Sequence, residues 1–323
     1  MMSEKSTWDF GTMLGMGSAR DIFMHKIIEI AETNKNIMYI TADGSPAGSM
    51  QDKFRKKFPD QFIEVGIAEA NAIGIASGLA LNGKRPYVNT FGPFLSVRAT
   101  DQINLDLAYN EVPVCVIGTH GGVTSGGGPT HYTLSDFGIM RAIPSMTMIA
   151  PADANQCGKL IDATLTYDKP MFVRVARGEE PLVYESQDYE YVIGKAIIAK
   201  EGDDATLIGT GIGVHNAMMA AKALQAEGIN VRVIDMHTIK PIDAEAIVNA
   251  VKQTGIVITV EDHNIISGLG DAVASVIAEN GIGCKFKKLG LPDEFAALGT
   301  PEELYEYYGF DAAGIIKTLK GFM

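Results

Sequence analysis

Hydrophobic positions along the chain alternate between short β-rich runs and longer stretches with helical spacing. The runs IMYIT (37–41), YVNTF (87–91), VPVCVIGT (112–119), MTMIA (146–150) and MFVRV (171–175) predict strands. Residues 18–33, 67–82, 94–108 and 154–167 predict helices between them, with Ser18 and Asp153 placed as N-caps. The strand runs are apolar almost throughout, the pattern of a sheet covered on both faces. Strands separated by helices imply βαβ crossovers and a mainly parallel sheet. The pattern breaks near 180–192, where RGEEPLVYESQDYEY is polar, contains Pro181 and lacks a clear period. A second α/β unit follows, with strands at 205–210, 229–236, 256–262 and 284–291. Its helices fall near 214–227, 243–254, 266–280 and 311–320. The expected fold is α/β: two three-layer α/β domains, residues 1–190 on a mainly parallel sheet and a smaller domain at 191–323.

Composition agrees with this and excludes some functions. The 323 residues suit two domains of ordinary size, each able to bury a core. The net charge of −12 argues against nucleic-acid binding, which needs clustered Lys and Arg. No apolar run approaches the roughly 20 residues of a membrane span. The opening MMSEKSTWDFGTMLG has no signal-peptide pattern and reads as a natural start, so a cytoplasmic protein is expected. Cys115, Cys157 and Cys284 are far apart, with no metal-ligand or redox spacing, and read as free thiols in a reducing compartment.

Two segments carry the chemistry. Residues 65–81 read VGIAEANAIGIASGLAL, and GGGPTHYTLSD follows about fifty residues later. With NTFGPFLSVRATDQI, IAPAD, DMHTIKPID and TVEDH, in order and over nearly the whole chain, they resemble the C-terminal half of a transketolase. That half comprises the pyrimidine-binding and C-terminal domains of a thiamine-diphosphate enzyme. The chain lacks the Gly-Asp-Gly motif with a downstream Asn that holds Mg²⁺ and the diphosphate in that family. The resemblance therefore implies a split enzyme. An N-terminal partner subunit would supply the metal site, in a two-plus-two heterotetramer, and no metal ligand is expected from this chain.

The resemblance also assigns roles. Glu69 would hydrogen-bond the cofactor's aminopyrimidine and activate it. Such an acid must be semi-buried, and its neighbours Gly66, Ile67, Ala68, Ala70 and Ala72 carry no charge. Taken alone, Glu69 is equally a helix-start carboxylate. Phe91 and Phe94 match aromatics packing on the pyrimidine; a further aromatic of many members is here Val97. His131 would face the substrate hydroxyls and move a proton, and His120 would help hold a substrate phosphate. Asp43, ending a strand, would lie near the substrate. Arg174 and Arg177 are both candidates for the anion, Arg177 preferred. His237, Glu261 and His263 read as structural or interface residues.

The substrate shell departs from the family pattern. Gly127 stands where the usual loop has an aspartate, within a run of small residues including Ser125 and Gly126, and Tyr132 follows His131. The phosphate-holding serine is displaced, leaving Ser45 or Ser49. The expected reaction is transfer of a two-carbon glycolaldehyde unit from a ketose to an aldose. The donor would be a phosphate or another anionic sugar, for instance a sulfo-sugar. A 2-oxoacid dehydrogenase beta subunit, a deoxyxylulose-phosphate-synthase-like half and a non-catalytic scaffold subunit are the alternatives.

Overall fold

The computed structural model describes residues 14–123 and 127–323. The opening segment 1–13 and residues 124–126, with Ser125 and Gly126 of the glycine-rich loop, lie outside the described residues.

The first unit is built on a seven-stranded sheet. Its order is Thr238–Lys240, Thr147–Ile149, Met171–Arg174, Cys115–Thr119, Arg85–Phe91, Ile37–Thr41 and Phe62–Glu64. All neighbours are parallel except the first pair. One face packs under helices Ala19–Thr33, Met50–Lys57 and Ala154–Thr164 through Phe23, Ile27, Phe54 and Leu160. The other packs under Glu69–Leu81, the segment 94–109 and Asp136–Ala142 through Ile73, Leu107 and Phe137. Burial on both faces explains the unbroken apolar strands. Ser18 and Asp153 cap their helices, accepting from the Asp21 and Gln156 amides.

The second unit has five strands, ordered Lys285–Leu291, Ile256–Asn264, Ala205–Gly209, Val231–Asp235 and Ile197–Lys200, the last antiparallel. Helices flank it, with Ile212–Ala226 and Ala312–Lys320 packing together. The expected α/β architecture holds.

Three differences have physical causes. Met50–Lys57 is a helix although MQDKFRKK shows almost no apolar stripe; Ser49 caps it, and Asp52 pairs with Arg55 and Lys56 one turn on. Residues 94–109 do not form one α-helix. They run as a π-helical turn Phe94–Arg98, an α-turn Thr100–Gln102 and a second π-helical run Ile103–Tyr109. Thr238–Lys240, within DMHTIKPID, leaves its own unit and adds to the edge of the first sheet. Cys115 and Cys157 are buried and Cys284 half-buried, all free. Among the described residues no helix is long and apolar enough to cross a membrane.

Candidate functional site

The order of the first sheet creates a crevice. From Ile37–Thr41 the chain passes to the edge strand Phe62–Glu64, then returns over it to Arg85–Phe91 on the opposite side. Such a reversal leaves a cleft at the carboxyl ends of the strands, where open α/β sheets take ligands. A cavity of about 1140 Å³ lies there. Its wall brings together Asp43, Glu69, Phe91, Phe94, His120, His131 and Arg177, drawn from separate stretches of sequence. Asp43 and His120, each just beyond a strand end, hold φ of 53° and 65°. Left-handed backbone in non-glycine residues is costly and gathers at functional sites.

Glu69 opens the helix Glu69–Leu81, whose preceding residue, Ala68, offers no side-chain cap. Its side chain is 2% exposed. The sequence suggests apolar surroundings without charge, and here the structure corrects it. Arg98, at the end of the first π-turn, donates from Nη1 to both carboxylate oxygens, at 3.1 and 3.0 Å. Helical spacing gives no hint of this, because Arg98 lies 29 residues on, in a segment without a regular α-period. The Arg98 guanidinium also lies 4.4 Å from the centre of the Phe94 ring. Phe94 stacks on Phe91 at 5.5 Å, and Phe91 meets His120 at 4.0 Å between ring centres. Val97, at the place of the missing aromatic, is exposed.

The two histidines share one tautomer, assigned from their hydrogen-bond networks. Thr119 Oγ1 donates to the Thr90 carbonyl, so it accepts from His120 Nδ1–H at 2.9 Å. Thr130 Oγ1 donates to the Gly127 carbonyl and accepts from His131 Nδ1–H at 2.8 Å. Each ring keeps Nε2 as an acceptor. Burial, with Arg177 and Arg20 nearby, pulls the His120 pKa down to about 4. His120 is therefore neutral at physiological pH.

The two arginine candidates separate. Arg174 is buried and committed: it donates to the carbonyls of Thr133 and Asp262, pairs with Asp136 at 3.2 Å and stacks on Phe137. Arg177 lines the cavity. Arg20 and His25, from the first helix, also line it, and the sequence pattern points to neither. Both sit in a helix that reads as purely structural by periodicity. Of the serines, Ser49 is spent as a helix cap, while the buried Ser45 hydroxyl in the cavity wall makes no hydrogen bond among the described residues.

The second unit fastens the histidine loop at both feet. Asp262 accepts from the Val123 amide at 3.0 and 3.1 Å, and Arg174 ties Thr133 to Asp262. Gly122, at φ 68°, lies so close that an added Cβ would run into the Asp262 carboxyl. His263 stacks on Phe137 and Glu261 accepts from the Leu269 and Gly270 amides, both buried in structural roles as expected. His237, stacked on Tyr191, is similar. Asp262→Ala leaves the buried Val123 amide unpaired, so a loss of about 2 kcal/mol in stability is expected. Urea unfolding measures this, with amide exchange accelerated at 121–123 and 131–136. Unchanged exchange there would contradict the fastening.

Residues 17–181 match the family described as "Transketolase, pyrimidine binding domain", and residues 194–315 match "Transketolase, C-terminal domain". The chain is 40% identical over 309 residues to one subunit of the apulose-4-phosphate transketolase of Phocaeicola vulgatus, covering 95% of this chain and 98% of that one. It is 37% identical over 300 residues to a subunit of the 6-deoxy-6-sulfo-D-fructose transketolase of a Clostridium species, covering 92% of each. A solved split-gene transketolase, described as an inactive beta4 tetramer, shares 34% identity and superposes with a TM-score of 0.86, covering 95% of this chain and 98% of that one.

Proposed function

The chain belongs to the transketolase family, and on that premise we propose that it is the C-terminal subunit of a two-chain, thiamine-diphosphate-dependent transketolase. It would move a two-carbon glycolaldehyde unit from an anionic ketose to an aldose. The observation that carries this reading is the buried Glu69 carboxyl on the wall of a large cavity, beside two stacked phenyl rings and two imidazole acceptors. These residues fit a flat, hydrogen-bonding heteroaromatic ring.

When bound, thiamine diphosphate supplies a carbanion equivalent and an electron sink. The protein's own residues do the rest. Glu69 would hydrogen-bond the pyrimidine ring, and Phe91 and Phe94 would pack against its face. His131 Nε2 accepts a proton from a substrate hydroxyl. His120 Nε2 accepts from a second hydroxyl, and Asp43 adds a carboxylate at the same strand edge. Arg177 and Arg20 grip the donor's anionic group. Mg²⁺ and its ligands belong to the partner subunit. The sulfo-sugar and phosphate-sugar relatives both support an anionic donor.

An exposed apolar face supports the need for a partner. Ile67 precedes the Glu69 helix and Leu81 ends it, 75% and 67% exposed, and Leu105 and Tyr109 on the adjoining π-helical run are 50% and 83% exposed. Large apolar side chains left exposed along a helix and the run that adjoins it mark an interaction surface. The proposed assembly is a cytoplasmic two-plus-two heterotetramer closed over this face.

Native mass spectrometry on the chain isolated gently from its host tests the proposal. A second protein carrying Gly-Asp-Gly with a downstream Asn, retained with thiamine diphosphate and Mg²⁺, is the expected result. A homo-oligomer without any such partner, inactive when mixed with every N-terminal subunit of that host, would refute it.

A further expected result concerns His120. Its folded pKa of about 4 lies below the 6.5 of a free imidazole, so it takes no proton until the pH falls well below 6. It brings no charge to the donor's anion. His120→Gln keeps a neutral acceptor, and KM for an anionic donor at pH 7 should change by less than about threefold. A tenfold rise in KM would show that His120 binds the anion.

A further inference from the structure

We infer that Glu64 is a positioning residue: its carboxylate ties the turn that carries Asp43 to the turn that presents Glu69, and so fixes the substrate-side acid relative to the cofactor-side acid. The inference rests on the roles that the proposed function gives Asp43 and Glu69. Glu64 ends the edge strand Phe62–Glu64, in register with Thr41. Beyond this pair the two strands part. Thr41 leads into Ala42 and Asp43, and Glu64 leads through Val65 and Gly66 to the helix Glu69–Leu81. One carboxylate oxygen, Oε1, bridges the two paths. It accepts from the Asp43 amide at 2.7 Å and from the Gly66 amide at 3.0 Å. Glu64, Asp43 and Glu69 all line the cavity.

Both amides belong to backbone that needs holding. Asp43 has φ of 53° and Gly66 has φ of 68°. The left-handed region is open to glycine but costly for Asp43, and such strain persists only where surrounding groups fix it. The Glu64 carboxylate is one such group. On the other path, the Glu69 helix has no side-chain cap at Ala68. The turn before it sets its start: the Ala68 amide donates to the Gly66 carbonyl at 2.8 Å. Glu64 therefore acts on Glu69 through Gly66 and Ala68. A carboxylate suits the task, because an ionised acceptor holds an amide about twice as strongly as a neutral one. A carboxylate that merely closed its own turn would accept from the residue two positions on and nothing more. The bond to Asp43 goes beyond that, since it crosses from the end of one strand to the end of its neighbour.

The test uses the assembled two-chain complex with saturating thiamine diphosphate and Mg²⁺. Glu64→Ala frees both turns, so kcat should fall about tenfold and KM for the donor should rise about tenfold, because small misplacements of reacting groups are costly. Glu64 is exposed, so the unfolding midpoint should barely move. Glu64→Asp is one methylene shorter: it can still accept from Gly66, two residues on, but does not reach Asp43. Its KM should rise as in Glu64→Ala while kcat stays within about threefold of the parent, a split that lost stability would not produce. Glu64→Gln keeps the acceptor and should stay within about threefold on both constants. Amide exchange reads the anchoring without turnover: Glu64→Ala should speed it at 42–44 and 65–69, and Glu64→Asp at 42–44 alone. Parent-like kcat and KM in Glu64→Ala overturn the inference, whatever the exchange shows, and so does a Glu64→Gln variant as impaired as Glu64→Ala. Should Glu64→Ala fail to fold, Glu64→Asp decides, and a parent-like KM there overturns the inference. Glu69→Gln separates this failure from failure of the reading beneath it. If Glu69→Gln turns over normally, the role of Glu69 falls and the inference with it. If Glu69→Gln is inactive while Glu64→Ala matches the parent, only the role of Glu64 falls.

Discussion

Glu69→Gln in the assembled enzyme is expected to lower kcat by about a thousandfold, with thiamine diphosphate still bound, in the range typical of losing a positioned acid–base group. Gln matches Glu in shape and keeps an acceptor, so the helix start and the cavity wall should survive. What it lacks is a proton that can be shared with a ring nitrogen. The Glu69 side chain is almost fully buried, so water cannot stand in for it. Stability should change little, because the other partner of the pair, Arg98, is half-exposed and can hydrate. Steady-state turnover with a cofactor-binding titration on the same sample separates loss of chemistry from loss of cofactor. Turnover within about threefold of the parent would end the assignment of Glu69 as the activating acid.

The sequence carried the fold because the central strands are buried on both faces and most of the helices between them bury an apolar face, two local signals that agree. It carried the gathering of Asp43, Glu69, Phe91, Phe94, His120 and His131 through ordered motifs, each ending near the carboxyl edge of the sheet. What it could not carry were contacts set by topology rather than spacing. Arg98 reaches Glu69 only because the segment after Phe91 winds as a π-helix beside the Glu69 helix. Arg20 enters the cavity from the first helix because that helix starts at the same sheet edge. The migration of Thr238–Lys240 to the first sheet is equally silent, since a three-residue strand has too few positions to show a period. Arg174 and Arg177 are indistinguishable in sequence for a related reason. They flank one strand end, and only the packing of Asp136, Phe137 and Asp262 around Arg174 shows which of them is already committed.

That commitment makes the donor's charge testable. Arg177→Ala should lower kcat/KM for an anionic ketose by about a hundredfold, the worth of a charge-assisted, bidentate contact of about 1.5–3 kcal/mol. The same variant should leave a neutral ketose of equal chain length within about threefold of the parent. Arg177→Lys should lie between, because a point charge replaces a planar fork. Arg20 lines the same cavity, and the charges of both arginines act on His120. If they grip one anion, the double variant should lose less than the sum of the two single losses, the coupling expected of groups sharing a partner. The loss should also shrink at high salt, since a half-open cavity admits counterions. Arg174→Ala should behave differently: it removes a buried partner of Asp136 and two carbonyls, so it should lower stability and impair anionic and neutral donors alike. Equal loss on both donors in Arg177→Ala would mean that the arginine shapes the cavity and does not read the substrate's charge.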